Sequence, residues 1–82
     1  MWIIGKIFTN MTYKQFSREV FAQIKKYPSN WRFGQKIFNA IEELYGVARA
    51  VQFEDGIDCF YNDAIVPEFI ARAFIRLNNE DT

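Results

Sequence analysis

The sequence predicts a mostly α fold, a compact bundle of three to four short helices with a short extended arm at the N-terminus. Three observations predict it. The 82 residues are too few for two separate cores, so residues 1–82 form one domain. Half of them are hydrophobic and 18% are aromatic, which supplies one core with large buried area. Apolar residues also recur at steps of three and four, the spacing of a helix face.

The first helix is predicted to begin after Thr12 and to be stopped by Pro28. Thr12 followed by Gln15 matches a capping box, in which each side chain bonds the other residue's backbone amide. Pro28 ends the helix because it lacks an amide and disfavours helical geometry in the residue before it. The predicted apolar positions are Tyr13, Phe16, Val20, Ile24 and Tyr27.

The second helix is predicted to be capped by Ser29 or Asn30 and to end at Gly46, in left-handed conformation. Gly34 falls in its interior, where glycine costs about 1 kcal/mol relative to alanine. This cost predicts that another segment passes close over Gly34. The apolar side of the helix comprises Trp31, Gly34, Ile37, Phe38, Ile41, Leu44 and Tyr45.

Residues 47–53 fit either a strand or a helix, and Ala48, Arg49 and Ala50 favour a short helix. Glu54 to Gly56 is predicted to form a turn, and residues 58–63 a compact loop.

The last helix is predicted to begin between Asp63 and Val66, with Pro67 in its first turn, and residues 78–82 to form a frayed tail. Its predicted buried face comprises Ile65, Phe69, Ile70, Ala73, Phe74 and Leu77.

The first ten residues differ in pattern from the rest. They are predicted to form an extended arm or, because translation could also start at Met11, an upstream extension. The apolar residues 2–8 could pair with a second copy and make a homo-oligomer. They are far fewer than the ~20 apolar residues that span a membrane. The N-terminus also lacks the pattern of a signal peptide, in which an apolar h-region follows a basic n-region. With Cys59 as the single cysteine, the sequence predicts a cytoplasmic protein.

Composition argues against metal sites and against most catalytic sites. Without histidine and with one cysteine, one chain cannot assemble zinc, haem or iron–sulfur ligand sets. The spacing of Asp55, Asp58 and Asp63 does not match a calcium-binding EF-hand loop, so these residues are predicted to serve caps and turns. Nothing obvious activates Cys59 as a nucleophile. The sequence therefore predicts a non-enzymatic protein without cofactors.

Charge is divided along the chain. Residues 1–36 carry seven basic side chains and one acidic, whereas residues 37–82 carry three basic and nine acidic. Attraction between the two halves within the fold is the first interpretation; a polarised surface that steers a charged partner is the second.

The densest motif gives the candidate contact surface. On a helix, Trp31, Gln35 and Asn39 would lie at i, i+4 and i+8 and form one stripe. A structural interpretation packs Trp31 against the first helix and uses Gln35 and Asn39 to bond backbone groups of residues 54–63. A functional interpretation makes the stripe part of a partner-binding surface, since Trp, Tyr and Arg dominate binding hot spots. The candidate residues are Trp31, Arg32, Gln35, Asn39, Arg49, Asp58, Phe60, Tyr61 and Asp63.

These motifs, from Met11 to about Phe74, resemble a family of small uncharacterised phage and prophage proteins. The resemblance rests on Trp31-Arg32, Gly34-Gln35 and Phe38-Asn39, followed by the run from Asp58 to Asp63 and by Ile65 and Phe69. Many members have proline at the position of Cys59, so the resemblance assigns this cysteine no function.

The resemblance implies a phage accessory protein that acts in the host cell by binding, as an inhibitor of a host defence or regulatory protein. Two alternatives remain. One is a sponge for a nucleotide signal, with Arg32, Arg49, Arg72 and Arg76 facing phosphates and Trp31 or Tyr61 stacking on a base. The other is a nucleic-acid-binding module that uses the basic N-terminal half.

Overall fold

The computed structural model describes residues 11–79, which form four α-helices and one 3-10 turn and confirm the mostly α fold class. The helices are α1 (Tyr13–Ile24), α2 (Phe33–Tyr45), α3 (Ala48–Glu54) and α4 (Val66–Asn79), and the 3-10 turn Asp63–Ile65 precedes α4. The predicted arm at residues 1–10, self-association through residues 2–8 and the end of the predicted tail lie outside the described residues.

The start of α1 is as predicted, but its end is not. The Gln15 amide donates to Thr12 Oγ1 (3.1 Å), and the Thr12 amide donates to Gln15 Oε1 (3.0 Å), which completes the capping box. Pro28 does not mark the end of the helix, because α1 already ends at Ile24. The next three amides donate to carbonyls three residues earlier, so a tighter turn carries the chain to Pro28.

The start of α2 differs from the prediction. The Trp31 amide donates to the Pro28 carbonyl (3.2 Å), so residues 28–31 form a turn and neither Ser29 nor Asn30 caps the helix. Arg32 is the N-cap, and its amide donates to Gln35 Oε1 (3.3 Å). The Arg32 guanidinium carries only hydrogen-bond donors, so it cannot accept a bond from the Gln35 amide as the side chain in a capping box does. At the other end Gly46 adopts φ 73°, the predicted left-handed conformation.

The ambiguous segment is helical, as predicted, and α3 is closed by Gly56 at φ 72°. The Ile57 amide donates to the Val51 carbonyl (3.2 Å), so the chain folds back onto the end of α3 after Gly56. The last helix also begins where predicted. It extends through Asn79.

One core lies between the four helices, and Phe16 of α1, Ile37 and Ile41 of α2, and Phe69 of α4 are its largest fully buried side chains. Tyr13, the first residue of α1, is 47% exposed despite its position in the predicted stripe. Within residues 11–79, no helix is long and apolar enough to cross a membrane.

The ion pairs of the described residues all lie in the acidic half. Arg76 binds Glu54 (2.8 Å) and Asp55 (2.9 Å), and Arg49 approaches Glu42 (3.9 Å). Arg76 holds the pKa of the Asp55 carboxyl below its usual value. Among residues 11–79, no ion pair joins the basic half to the acidic half. The predicted attraction between the halves is therefore not made by ion pairs.

Candidate functional site

The loop formed by residues 55–62 docks on the first turn of α2 at Gly34. A Cβ atom placed on Gly34 would lie 1.9 Å from the Cys59 carbonyl oxygen, so only glycine allows this approach. The Gly34 amide donates to Asp63 Oδ1 (2.8 Å), and the Cys59 thiol donates to the Gly34 carbonyl (3.4 Å). The close approach predicted from the sequence is confirmed. It places an aspartate at the positive end of the α2 dipole.

Hydrogen bonds within the loop fix its shape. Asp58 accepts from the Phe60 amide (2.9 Å) and from Gln52 Nε2 of α3 (2.9 Å), so one carboxylate ties the loop to a helix. The Asn62 amide donates to the Cys59 carbonyl (3.1 Å), and Asn62 Oδ1 accepts from the Ala64 amide (3.1 Å). Asp58 and Asp63 thus serve a turn and a cap, as predicted, and position the rings between them.

A chain of aromatic contacts runs from the core to the surface. Phe69 packs against Phe38 (centroids 5.6 Å apart), Phe38 meets Phe60 edge to face (5.6 Å), and Phe60 touches Tyr61 (4.7 Å). Tyr61 is 72% exposed. The Arg32 guanidinium lies 5.7 Å from the Tyr61 ring centroid, within cation–π range. The exposed ring therefore rests on the partly buried Phe60, and this column of rings continues inward to the buried Phe38 and Phe69.

Beside this column is a shallow cavity of about 230 Å³ between α2, α3 and the loop, which we call the notch. Its lining comprises Phe38, Arg49, Gln52, Phe60 and Tyr61. The Arg49 side chain is 71% exposed and is held only loosely by Glu42 at 3.9 Å. The notch therefore presents rings and a largely free cation to solvent.

Trp31 does not belong to the predicted stripe, because it precedes α2 instead of lying on it. Its ring stacks on Tyr27 (centroids 5.1 Å apart, planes 21° apart) just after α1, which agrees broadly with the structural interpretation. Tyr27 Oη donates to Glu43 Oε1 of α2 (2.8 Å), and Gln23 donates to the same oxygen (2.9 Å). Trp31 thus helps to fix the α1–α2 connection.

Gln35 and Asn39 do not bond the loop, so that part of the structural interpretation is wrong. Gln35 accepts the Arg32 amide at the helix start, and Asn39 Nδ2 donates to the Gln35 carbonyl (2.8 Å) within α2. Gly34 and Asp63 make the loop contact instead. Of the nine candidate residues, the structure places Arg49, Phe60 and Tyr61 in the notch, with Arg32 and Asp58 next to it.

Sequence reasoning missed Gln52 as a lining residue and Phe53 as an exposed ring. Phe53 is 74% exposed and lies one turn after Arg49 on α3. On a helix it is about 200° from Val51, which is fully buried. The helical wheel of residues 48–54 places Phe53 on the side away from Val51, which is the signal that could have identified it.

Cys59 is buried at the base of the loop, where it packs on Gly34. Burial, with the neighbouring charge of Asp58, raises the pKa of the thiol from 9.0 to about 12. A thiol nucleophile must ionise, so the geometry gives Cys59 a structural role. Within residues 11–79, no group of three His, Cys, Asp or Glu side chains could hold a metal ion.

We expect the Cys59 thiol to resist labelling in the native protein at pH 8, because it is buried and protonated there. The measurement is the rate of reaction with a disulfide reagent such as DTNB, which we expect to rise at least roughly 100-fold in guanidinium chloride. Free cysteine in the same buffer is the control. Fast native labelling would show that the loop opens readily.

Comparisons with known proteins found no relative of this chain. No protein-family model matches it, and neither the curated protein sequences nor the solved structures contain a significant match. The geometry of the surface and the chemistry of its residues are therefore the basis for a function.

Proposed function

We propose that the protein is a non-enzymatic phage accessory protein that acts in the host cytoplasm by binding and inhibiting a host defence or regulatory protein through the notch. The observation that carries this proposal is the exposed Tyr61, which packs on the partly buried Phe60 and is flanked by Arg32 and Arg49. Tyrosine and arginine at the edge of a pocket are the residue types that dominate protein-binding hot spots.

The fixed loop supports the proposal. Gly34, Asp58 and Asp63 hold the residues between them through backbone and side-chain bonds. A surface that is already ordered loses less conformational entropy on binding, so more of the contact energy appears as affinity. A partner side chain that enters the notch would meet Phe38 and Phe60 at its base.

The size of the notch favours a protein partner over a nucleotide signal. Its volume of about 230 Å³ is below the roughly 300–1,000 Å³ of small-molecule pockets, but it accommodates one large side chain. Arg76, one of the four arginines that a nucleotide sponge would use, is already bound to Glu54 and Asp55. The sponge alternative therefore lacks one of its phosphate ligands.

The test compares the unmodified protein with Tyr61→Ala and Arg49→Ala. Each tagged protein is used to capture partners from host lysate, and the affinity for the captured protein is then measured with purified components. We expect Tyr61→Ala to weaken binding roughly 30-fold, since hot-spot truncations cost 2 kcal/mol or more.

Ile75→Ala and Arg72→Ala are the matched controls. Both residues are exposed on α4 and line no part of the notch, so these variants should bind as the unmodified protein does. A partner retained equally by Tyr61→Ala and by the controls would contradict the proposed surface. A nucleotide-sized mass in native mass spectrometry of the recovered protein would favour the sponge alternative.

A further inference from the structure

A second surface, in the basic half of the chain, is not used by the proposed partner site. Lys14, Arg18, Phe21 and Lys25 follow one another at i, i+4, i+7 and i+11 along α1 and its C-cap. At 100° per residue these positions fall within about 60° of one another, so the side chains form one stripe. All four residues are exposed. We call this stripe, with Phe33 and Lys36 of α2, the basic face.

The cations of the basic face are not neutralised within the fold. Across residues 11–79, no hydrogen bond or ion pair involves the side chains of Lys14, Arg18, Lys25 or Lys36. Glu19 is the only acid among residues 11–36, and its carboxylate interacts with Tyr45. Burial of Tyr45 and the charge of Glu19 raise the pKa of the Tyr45 hydroxyl to about 12. Unpaired cations in a row produce a positive potential that attracts an extended anion.

Two rings lie within this row of charge. Phe21 stacks on Phe33 of α2, with centroids 6.2 Å apart and planes 20° apart. The two rings remain 40% and 39% exposed, so part of the apolar surface of each stays in contact with water. Lys36 lies one turn after Phe33 on α2. Exposed rings therefore alternate with cations across the two helices.

We propose that the basic face binds single-stranded nucleic acid, with Lys14, Arg18 and Lys25 contacting successive phosphates and the Phe21–Phe33 pair stacking on bases. The row extends over about 16 Å at 1.5 Å per residue, long enough for several nucleotides of a strand. Cations that track a backbone, together with rings that stack on bases, are the features of sequence-independent single-strand binding. This inference does not depend on the proposed protein partner.

Two other anionic partners fit the surface less well. A helix that lies on a membrane inserts a wide apolar face into the lipid, whereas the apolar face of α1, with Phe16 and Val20, is fully buried in the core. A duplex or a wrapped polyanion would approach the acidic half of the molecule as well. A straight row of cations on one helix face matches one linear strand.

The test is fluorescence anisotropy of the full 82-residue chain with a labelled 20-nucleotide oligo(dT) strand at several salt concentrations. Three to four phosphate contacts predict a slope of log affinity against log salt of about −2 to −3. The main variant is Lys14→Glu. Position 14 lies in the first turn of α1, where a glutamate favours the helix dipole, so this variant should be at least as stable as the unmodified protein.

We expect Lys14→Glu to weaken binding roughly tenfold at 50 mM salt, and Arg18→Glu to do the same. Arg72→Glu is the matched control, because Arg72 is an exposed helical arginine on α4 and the substitution changes net charge equally. We expect it to leave the affinity unchanged. Phe21→Ala should weaken binding to the strand by roughly fivefold or more, while binding to a duplex of the same length changes less.

Three outcomes would overturn the proposal. The first is the absence of binding to the strand at 50 mM salt. The second is an equal loss of affinity in Lys14→Glu and Arg72→Glu, which would show a general charge effect. The third is tighter binding to vesicles that contain phosphatidylserine than to oligo(dT), which would identify a membrane surface as the partner.

Discussion

Gly34→Ala is expected to destabilise the protein by about 3 kcal/mol, although the same substitution in an exposed helix would stabilise it by about 1 kcal/mol. The new methyl group would lie 1.9 Å from the Cys59 carbonyl oxygen and 3.1 Å from Asp63 Oδ1. The loop would have to move away, which weakens the bond from the Gly34 amide to Asp63. Urea denaturation followed by circular dichroism measures the change in the free energy of unfolding.

Gly56→Ala separates the steric effect from the general effect of replacing glycine. A methyl group at Gly56 would meet no atom within 4 Å, but the residue has φ 72°, so alanine is strained there by about 1–2 kcal/mol. We therefore expect Gly34→Ala to be the more damaging of the two. Equal stability of Gly34→Ala and the unmodified protein would show that the loop yields at little cost.

The Gly34 contact also links the fold to the proposed partner site. The loop that it anchors carries Phe60 and Tyr61, and both line the notch. If the loop moves, the column of rings loses the position of its two outer members. Gly34→Ala should therefore weaken partner binding even in the fraction of molecules that remains folded, because the surface is no longer ordered before binding.

The helices and the Gly34 contact could be predicted from sequence because their signals are local. Thr12 and Gln15 are three residues apart, and the cost of a helical glycine is independent of the rest of the chain. The start of α2 was predicted wrongly because Ser29, Asn30 and Arg32 all stand near a turn. The hydrogen bond from the Trp31 amide to the Pro28 carbonyl places Ser29 and Asn30 in the turn, so that Arg32 becomes the N-cap.

Outside the Thr12–Gln15 capping box, the partners of the polar side chains could not be predicted, because they depend on which atoms meet in three dimensions. Gln35 and Asn39 satisfy their own helix, while Asp63 reaches across 29 positions to the Gly34 amide. The contact between the Tyr61 and Phe60 rings likewise follows from no pattern in the sequence. Spacing on a helix predicts which residues share a face, but it does not predict what covers that face.

Phe16→Ala is expected to destabilise the fold far more than Phe21→Ala, the corresponding truncation on the outer face of α1. The Phe16 ring is fully buried and packs against Tyr45 (centroids 5.1 Å apart), Phe74 (5.5 Å) and Tyr13 (6.3 Å), so it joins α1 to α2 and α4. Truncating a buried phenylalanine costs about 3–5 kcal/mol. A domain of this size has about 4–12 kcal/mol in total, so the variant should be close to unfolding at 37 °C.

Phe21→Ala is the matched control, because it makes the same substitution five residues later on the same helix. Phe21 is 40% exposed and contacts only Phe33 among the rings of residues 11–79, so we expect a loss of about 1 kcal/mol or less. Thermal melting of the two variants measures the difference. The inner face of α1 then carries the stability of the fold, and its outer face is free to bind. Comparable melting temperatures would contradict this division, since Phe16 would then not anchor α1 to the core.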